Sequence, residues 1–216
     1  MSTDVQTDLT HHDRQWFIVG RWQEYEGEGR ANLIRIIGVG AFYGIELVNY
    51  YTGVVDRPFH QAVTALAFMW ALVALGVLYC LGQRIFPASI KFLSTAADIG
   101  LLTAILTLAD GPKSSLVVGY FLVIVLASLR FSLRLIWFAA SGSMLGYLVL
   151  LGYAAWFAQR DDLRVLRYQQ AIFLLALALT GVVLGQVIRR MKKMAQDYAA
   201  RVAPQNAAVP RESRPQ

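Results

Sequence analysis

Ionisable residues inside apolar stretches are the places where this sequence could do chemistry. Arg35 and Glu46 share one such stretch, and Asp98 lies in another. A charge in an apolar span is costly, so it marks an ion or proton site or a buried pair. Ser94 and Thr95 lie about one helical turn before Asp98, on the same face of a helix. Asp98 is then either a proton or cation site that acts with Glu46, or a structural aspartate satisfied by Arg35, Ser94 or Thr95. We predict that Asp98 pairs with Arg35, because both lie in the first half of their apolar stretches and an arginine stem spans the difference in depth.

Other patterns that would indicate catalysis are missing from the sequence. The three histidines, His11, His12 and His60, lie outside the apolar runs, which excludes bis-histidine haem ligation within a membrane. Cys80 is the only cysteine, so one chain forms neither a disulfide nor a cysteine-based metal site. The sequence has no phosphate-binding glycine loop and no nucleophile elbow. We therefore expect a protein that is not an enzyme and that uses no cofactor and no metal.

The elements that must position these residues follow from composition. Of the 216 residues 56% are hydrophobic and only 16% are charged, and the mean hydropathy is +0.47. Soluble domains carry about 25% charged residues. Between short polar breaks the apolar runs reach about 20 residues, the length of a membrane span. The sequence therefore predicts an all-α integral membrane protein with six transmembrane helices: Asn32–Tyr51, Ala62–Gly82, Ile90–Ala109, Ser115–Leu129, Leu133–Phe157 and Tyr168–Ile188.

The basic residues predict how these helices are oriented. Most of the 20 Lys and Arg residues fall on one side of the expected membrane. The positive-inside rule then places both termini in the cytoplasm of a bacterial inner membrane. Arg130 and Arg134 lie in the hairpin between helices 4 and 5, and we expect both guanidinium groups to reach the lipid head groups. The same role is expected after helix 6 for Arg189, Arg190, Lys192 and Lys193. The net charge of +6 thus indicates the bilayer as partner and no nucleic acid.

Small residues indicate where helices approach one another closely. The spacing Gly-x-x-x-Gly occurs in predicted helices 1, 5 and 6. This spacing lets two helix backbones come together. It predicts packing within the bundle or, as the alternative, the seam of a homodimer. The residues concerned are Gly40, Gly44, Gly142, Gly146, Gly181 and Gly185.

The two ends of the chain complete the expected organisation. Residues 1–31 form a cytoplasmic segment whose aromatic stretch "RQWFIVGRWQEYEGEGR" is typical of an interfacial or docking helix. Residues 32–188 form the transmembrane domain. Residues 189–216 begin as a basic exit helix and end in a polar, Pro-containing tail that we expect to be disordered. These two ends predict a protein partner on the cytoplasmic side.

Three stretches of the chain carry a family resemblance. "FLSTAADIGLLTAIL", "GPKSSLVVGYFLVIVLASLRFSLRL" and "GQVIRRMKKMAQDYAARV" resemble the six-helix membrane regions of bacterial signalling proteins, which precede histidine-kinase, diguanylate-cyclase or class III adenylyl-cyclase output domains. The resemblance implies a dimeric membrane sensor or anchor, although no output domain follows here. We therefore expect an anchor or sensor for a partner protein. The alternatives are a small transporter that uses Asp98 and Glu46, or an accessory subunit of a larger membrane complex.

Overall fold

The computed structural model describes residues 3–83, 88–156 and 165–207, with side chains over 26–83, 89–156 and 165–198. Within these ranges the chain is helical and contains no strand, so the predicted all-α class is confirmed. Two short 3-10 turns, Gly111–Lys113 and Ser115–Val118, precede the fourth helix. The α-helices are α1 Thr3–Tyr51, α2 Arg57–Gly82, α3 Ala88–Leu108, α4 Gly119–Ser128, α5 Leu133–Trp156 and α6 Arg167–Ala207.

Five of these helices contain segments that are long and apolar enough to cross a membrane. The segments are Glu26–Tyr51, Arg57–Gly82, Ser89–Leu108, Leu133–Trp156 and Arg167–Tyr198. The sixth apolar segment, Ser115–Ser128, is shorter. It measures about 20 Å as a helix, against about 30 Å for the hydrocarbon core of a bilayer. The multi-pass architecture is therefore supported, with five full-length candidate spans and one short one.

The short fourth segment has a local cause. Gly111 adopts a left-handed φ of 59°, and Pro112 follows it. Proline lacks the N–H that a continuous helix needs, so the chain first makes two 3-10 turns. Ser114 caps the second turn by accepting a hydrogen bond from the Leu116 N–H at 3.3 Å. The regular helix begins only at Gly119, and seven of its ten residues are buried.

The two terminal helices extend beyond the predicted spans. α1 has 49 residues and α6 has 41, about 73 Å and 61 Å in length. Helix α1 begins at Thr3 and passes through residue 32 without a break, so the division there between a cytoplasmic segment and the first span stays a prediction. The predicted exit helix is confirmed as far as Ala207. The tail that we expected to be disordered is "PQNAAVPRESRPQ", residues 204–216; residues 204–207 are helical instead, and 208–216 lie outside the described residues.

The core of the bundle surrounds α4 and α5. α5 packs against α3, α4 and α6, while α1 packs on α2 and α2 on α3. Tyr120, Ile124, Ile136, Ala139 and Leu150 are almost fully buried between these elements. The hairpin connections leave the start of α3, the α4–α5 loop and residues 27–35 of α1 at one end, called here the Arg130 end. The α1–α2 loop and the 3-10 turns lie at the other, called here the His60 end.

Two of the three glycine stripes make the predicted close contacts. A Cβ atom built on Gly181 would lie 2.7 Å from the Ala140 Cβ, and one built on Gly142 would lie 2.7 Å from Ile99 Cδ1. At Gly146 the same construction comes within 3.0 Å of the Tyr120 hydroxyl. Helix α5 therefore approaches α3, α4 and α6 at positions where only glycine fits without displacing a neighbour.

The stripe on α1 behaves differently. A Cβ atom built on Gly40 or Gly44 would meet nothing within 4 Å, and both glycines are exposed. The prediction that these two residues pack against another helix of the bundle is therefore wrong for the part of the chain that the structure describes. The last glycine of the α6 stripe, Gly185, follows the packed pattern, with Leu133 Cδ1 at 3.3 Å.

Candidate functional site

A buried ion pair joins α1 to α3 in the interior of the bundle. Arg35 donates two hydrogen bonds to Asp98, from Nε to Oδ1 at 2.8 Å and from Nη2 to Oδ2 at 2.7 Å. The two side chains are only 1% and 4% exposed. Bidentate guanidinium–carboxylate pairs combine charge with fixed geometry and are the strong form of this contact. The predicted pairing of Asp98 with Arg35 is confirmed.

Two more side chains satisfy the polar atoms of this pair. Trp70 of α2 donates its indole N–H to Asp98 Oδ1 at 2.8 Å. Asn32 accepts a hydrogen bond from Arg35 Nη1 at 2.7 Å and donates one to the carbonyl of Ala74 at 3.1 Å. Buried polar groups need such partners. Because Asp98 accepts three hydrogen bonds from protein groups, the geometry favours a structural role for it over a transport site.

Ser94 and Thr95, the alternatives to Arg35 as partners of a structural Asp98, do not bind it. Their hydroxyl groups donate to the carbonyl oxygen of Lys91, at 3.2 Å from Ser94 and 2.9 Å from Thr95. Serine and threonine inside a helix often bond to a carbonyl one turn earlier, since no second helix has to supply the acceptor.

Arg130 is also a buried cation, and the expectation that it reaches the lipid head groups is wrong. Its Nη2 lies 2.7 Å from Glu28 Oε1, and neither side chain is exposed. Its Nη1 donates to the Lys91 carbonyl at 2.9 Å and to Thr95 Oγ1 at 2.8 Å. The contact with Glu28 is an ion pair by distance, without the alignment of a hydrogen bond. Arg134 is exposed, and its role at the head groups stays a prediction.

The local backbone explains why Arg130 turns inward. α4 ends at Ser128, and Phe131 adopts a φ of 50°, which folds the chain back within a few residues. On α1, a Cβ atom at Gly27 would lie only 2.6 Å from the Leu129 carbonyl oxygen. Only glycine permits this approach, which brings the next residue of α1, a glutamate, to the arginine. Burial lowers the pKa of the Arg130 guanidinium, and the charge of that carboxylate acts in the opposite direction.

Glu28, Asn32 and Trp70 were not predicted as members of the buried site. Glu28 falls in the segment that we expected to precede the first span, and hydropathy gives no reason to place it inside. A signal was present in the spacing, since Glu28, Asn32 and Arg35 lie at positions i, i+4 and i+7 of one helix face. All three are buried, at 3% exposure or less. A polar stripe with this period at a helix start would have indicated them.

A second polar site lies at the His60 end. His60 Nδ1 is 2.9 Å from Glu46 Oε1 and 3.1 Å from Oε2. The imidazole also stacks on Tyr50, with ring centroids 4.0 Å apart. The sequence indicated Glu46 as an acid of interest but did not predict its histidine partner. About 16 Å of helix separates Glu46 from Arg35 on α1, so the two sites occupy different depths of the bundle.

A cleft lies between these two sites, bounded by α1, α2, α3 and the start of α4, and is called here the α1–α4 cleft. Its volume is about 700 Å³. Most of its walls are apolar, and Glu46, Asn49, Ser114 and Ser115 supply polar groups to it. Trp70 lines the cleft as well as a cavity of about 30 Å³ beside Asp98. The indole thus connects the cleft to the buried ion pair.

Comparison with known proteins finds no family model, curated protein or solved structure that matches this chain. Among the described residues, no group of three or more His, Cys, Asp or Glu side chains could hold a metal ion. The features that bear on function are therefore the two ion pairs, the α1–α4 cleft and the helical extensions.

Proposed function

We propose that this chain is a non-enzymatic, multi-pass protein of a bacterial inner membrane. It acts as an anchor or a sensor for a protein partner in the cytoplasm. The observation that carries the proposal is an apolar stripe on the extension of α6. Val187, Met191, Met194 and Tyr198 are spaced 4, 3 and 4 residues apart, the interval that keeps side chains on one face of a helix. They are 45%, 43%, 62% and 72% exposed.

Most of this stripe lies beyond the part of α6 that the bundle covers. Ile188 is the last buried residue among the side chains of α6 that the structure describes, and those from Arg189 to Tyr198 are all exposed. The stretch from Arg167 to Ile188 measures about 33 Å, which already matches the hydrocarbon core. The residues that follow belong to the aqueous side, where an apolar stripe on a charged helix is stabilised by a partner helix or surface.

The distribution of charge supports a cytoplasmic location for the Arg130 end. Arg35 and Arg130 do not count toward it, because both are buried in ion pairs. The basic residues exposed at this end are Arg30, Arg134, Arg189, Arg190, Lys192 and Lys193. The described Lys and Arg residues at the His60 end are Arg57, Lys113 and Arg167. This excess favours both termini on the cytoplasmic side.

Cysteine accessibility tests that orientation. In a Cys80→Ser background, we expect an impermeant maleimide to label Arg134→Cys only after the membrane has been permeabilised. We expect Lys113→Cys to react with an impermeant maleimide in intact cells. Both positions are exposed on opposite ends of the bundle, so they are matched reporters. Labelling of Arg134→Cys in intact cells would contradict the proposed orientation.

Anionic lipid is the main rival occupant of the α6 extension. Each Lys or Arg near an anionic surface contributes about 1 kcal/mol of attraction, and the extension carries Arg189, Arg190, Lys192 and Lys193. Lipid would bind the basic face and weaken with salt, whereas a protein partner would cover Met191, Met194 and Tyr198. The two occupants therefore depend on different faces of one helix.

Substitution of the two faces separates these occupants. The full chain is purified in mild detergent beside a stripe variant, Met191→Gln with Met194→Gln, and a charge variant, Lys192→Gln with Lys193→Gln. We expect the stripe variant to lose a co-purifying protein that the other two retain, at unchanged bundle stability. If the co-purifying protein is a second copy of the chain, its loss would be seen as a halving of the mass of the purified complex in the stripe variant. Equal recovery in all three preparations would overturn the proposal.

Transport through Asp98 and Glu46 has weaker support. Asp98 is held by Arg35 and Trp70, and Glu46 is held by His60. A transport site must release its partners during each cycle, and three hydrogen bonds on one buried carboxylate oppose that release. We therefore place the function in the exposed helical extension and treat the ion pairs as the scaffold that orients it.

A further inference from the structure

We propose that the α1–α4 cleft binds an amphiphile that carries a protonated amine on an apolar body and enters from the lipid phase. This inference goes beyond the proposed function, because it concerns a ligand of the transmembrane domain and does not depend on a cytoplasmic partner. It is based on three features of the cleft: its size and apolar walls, its lateral opening, and the buried carboxylate that lines it.

The size and walls of the cleft suit a small amphiphile. Sites for small molecules commonly have volumes of about 300–1,000 Å³ and apolar walls with a few polar groups. The α1–α4 cleft, at about 700 Å³, falls within that range. Its apolar surface comes from side chains such as Val39, Val63 and Ile105, and Trp70 lies at its deep end. A water-soluble polar ligand would leave these walls without matching contacts.

The opening of the cleft faces the direction from which lipid would approach. Phe42 and Ile45 on α1 and Val118 and Leu122 at the start of α4 line the cleft and are also exposed, from 36% to 65%. Exposed apolar residues on span helices are in contact with hydrocarbon in a bilayer. A ligand that dissolves in the membrane can therefore enter sideways between α1 and α4 without crossing a polar barrier.

The polar lining determines the kind of head group. Glu46 is 9% exposed and lines the cleft together with Asn49, Ser114 and Ser115. His60 contacts both Glu46 oxygens through Nδ1 and stacks on Tyr50, which fixes the carboxylate in position. A carboxylate in an apolar cleft favours a cationic hydrogen-bond donor and disfavours an anion. The complementary head group is an ammonium, with the serine hydroxyls and the asparagine carbonyl as further acceptors.

The test uses Trp70 as a reporter within the cleft. The other tryptophans are replaced by phenylalanine (Trp16, Trp22, Trp137 and Trp156), and the full chain is placed in phosphatidylcholine nanodiscs. Three brominated probes of equal chain length carry an amine, an alcohol or a carboxylate. Their chains are long enough to span the roughly 16 Å of helix that separates Glu46 from the depth of Arg35. Bromine quenches indole fluorescence at short range, so saturable quenching reports entry of the probe into the cleft.

The expected result is saturable quenching by the amine at a concentration at least about tenfold lower than by the alcohol, since hydrogen bonds to charged groups are the strong ones. Glu46→Gln should remove this preference and leave the alcohol unchanged. Glu26→Gln is the matched control on the same helix, because Glu26 is exposed and pairs with Arg30 away from the cleft. Comparison between variants cancels the partitioning of the amine into the bilayer.

Three results would overturn the proposal. They are equal affinities for the amine and the alcohol in the parent chain, a stronger affinity for the carboxylate, or an amine preference that persists in Glu46→Gln. Should Glu46→Gln fail to fold, Ala67→Phe serves instead, because Ala67 lines the cleft and a larger side chain there fills it. Saturable quenching with unchanged affinity in Ala67→Phe would equally refute the assignment.

Discussion

Replacing Asp98 by alanine removes the acceptor on which two donors depend. Arg35, with a side chain 1% exposed, would then lose the carboxylate that it contacts, and the indole N–H of Trp70 would lose its acceptor. Breaking one partner of a buried ion pair costs about 3–5 kcal/mol, chiefly because the remaining charge stays buried. We expect a loss of that size in the free energy of unfolding for Asp98→Ala and for Arg35→Ala alone.

The double variant is the decisive member of this cycle. With both charges removed, no unpaired ion remains, so the combined loss should fall short of the sum of the single losses by about 1–3 kcal/mol. The free energy of unfolding is measured by titration with a denaturing detergent in mixed micelles, followed by circular dichroism. The exposed pair of Glu26 and Arg30, at 2.6 Å, is the control, with an expected coupling of about 0.5 kcal/mol or less. Additive losses for Arg35 and Asp98 would refute the reasoning.

Two further predictions compare residues that look alike in sequence. Arg130→Ala should destabilise the bundle by about 3–5 kcal/mol, because it leaves Glu28 buried without the cation that it contacts. Arg134→Ala, at an exposed position, should change the free energy of unfolding by less than about 0.5 kcal/mol. Equal effects of the two substitutions in thermal unfolding would contradict the burial of Arg130. Gly181→Ala should cost about 1–3 kcal/mol because its Cβ would lie 2.7 Å from a neighbouring Cβ, whereas Gly40→Ala should be neutral or slightly stabilising, since its position is open. A loss for Gly40→Ala in dilute detergent would indicate an unrecognised contact at that face.

Hydropathy predicted the individual helices, and the depth of ionisable residues within the predicted spans predicted one contact between two of them. The apolar runs gave the helices, and the shared depth of Arg35 and Asp98 was enough to predict their pairing. The predicted fourth helix, Ser115–Leu129, matches the short apolar segment Ser115–Ser128, but its first residues form a 3-10 turn and the α-helix begins only at Gly119. The uninterrupted passage of α6 beyond Ile188 also followed from the sequence, because nothing there breaks a helix.

The sequence failed where the outcome depends on which helices lie side by side. Arg130 looked like an ordinary hairpin arginine, because periodicity does not reveal that Glu28 of a distant segment lies opposite it. The partner of Glu46 is His60, which hydropathy placed outside the apolar runs but which lies in the first turn of α2, and a further partner of Asp98 is the tryptophan of that same helix. Lateral arrangement is set by side-chain packing between helices, of which Gly-x-x-x-Gly spacing gives only part, as the open Gly40 and Gly44 face demonstrates.

Site-specific photo-cross-linking in native membranes tests the central claim most directly, namely that the apolar stripe of α6 meets a protein. A photoreactive residue is placed at Met194, in the exposed stripe, and in a second strain at Leu179, which is similarly exposed but belongs to the stretch from Arg167 to Ile188 that matches the hydrocarbon core in length. The account predicts a discrete cross-linked protein, either a partner or a second copy of the chain, from Met194 and only lipid adducts from Leu179. Lipid adducts alone at both positions would contradict it.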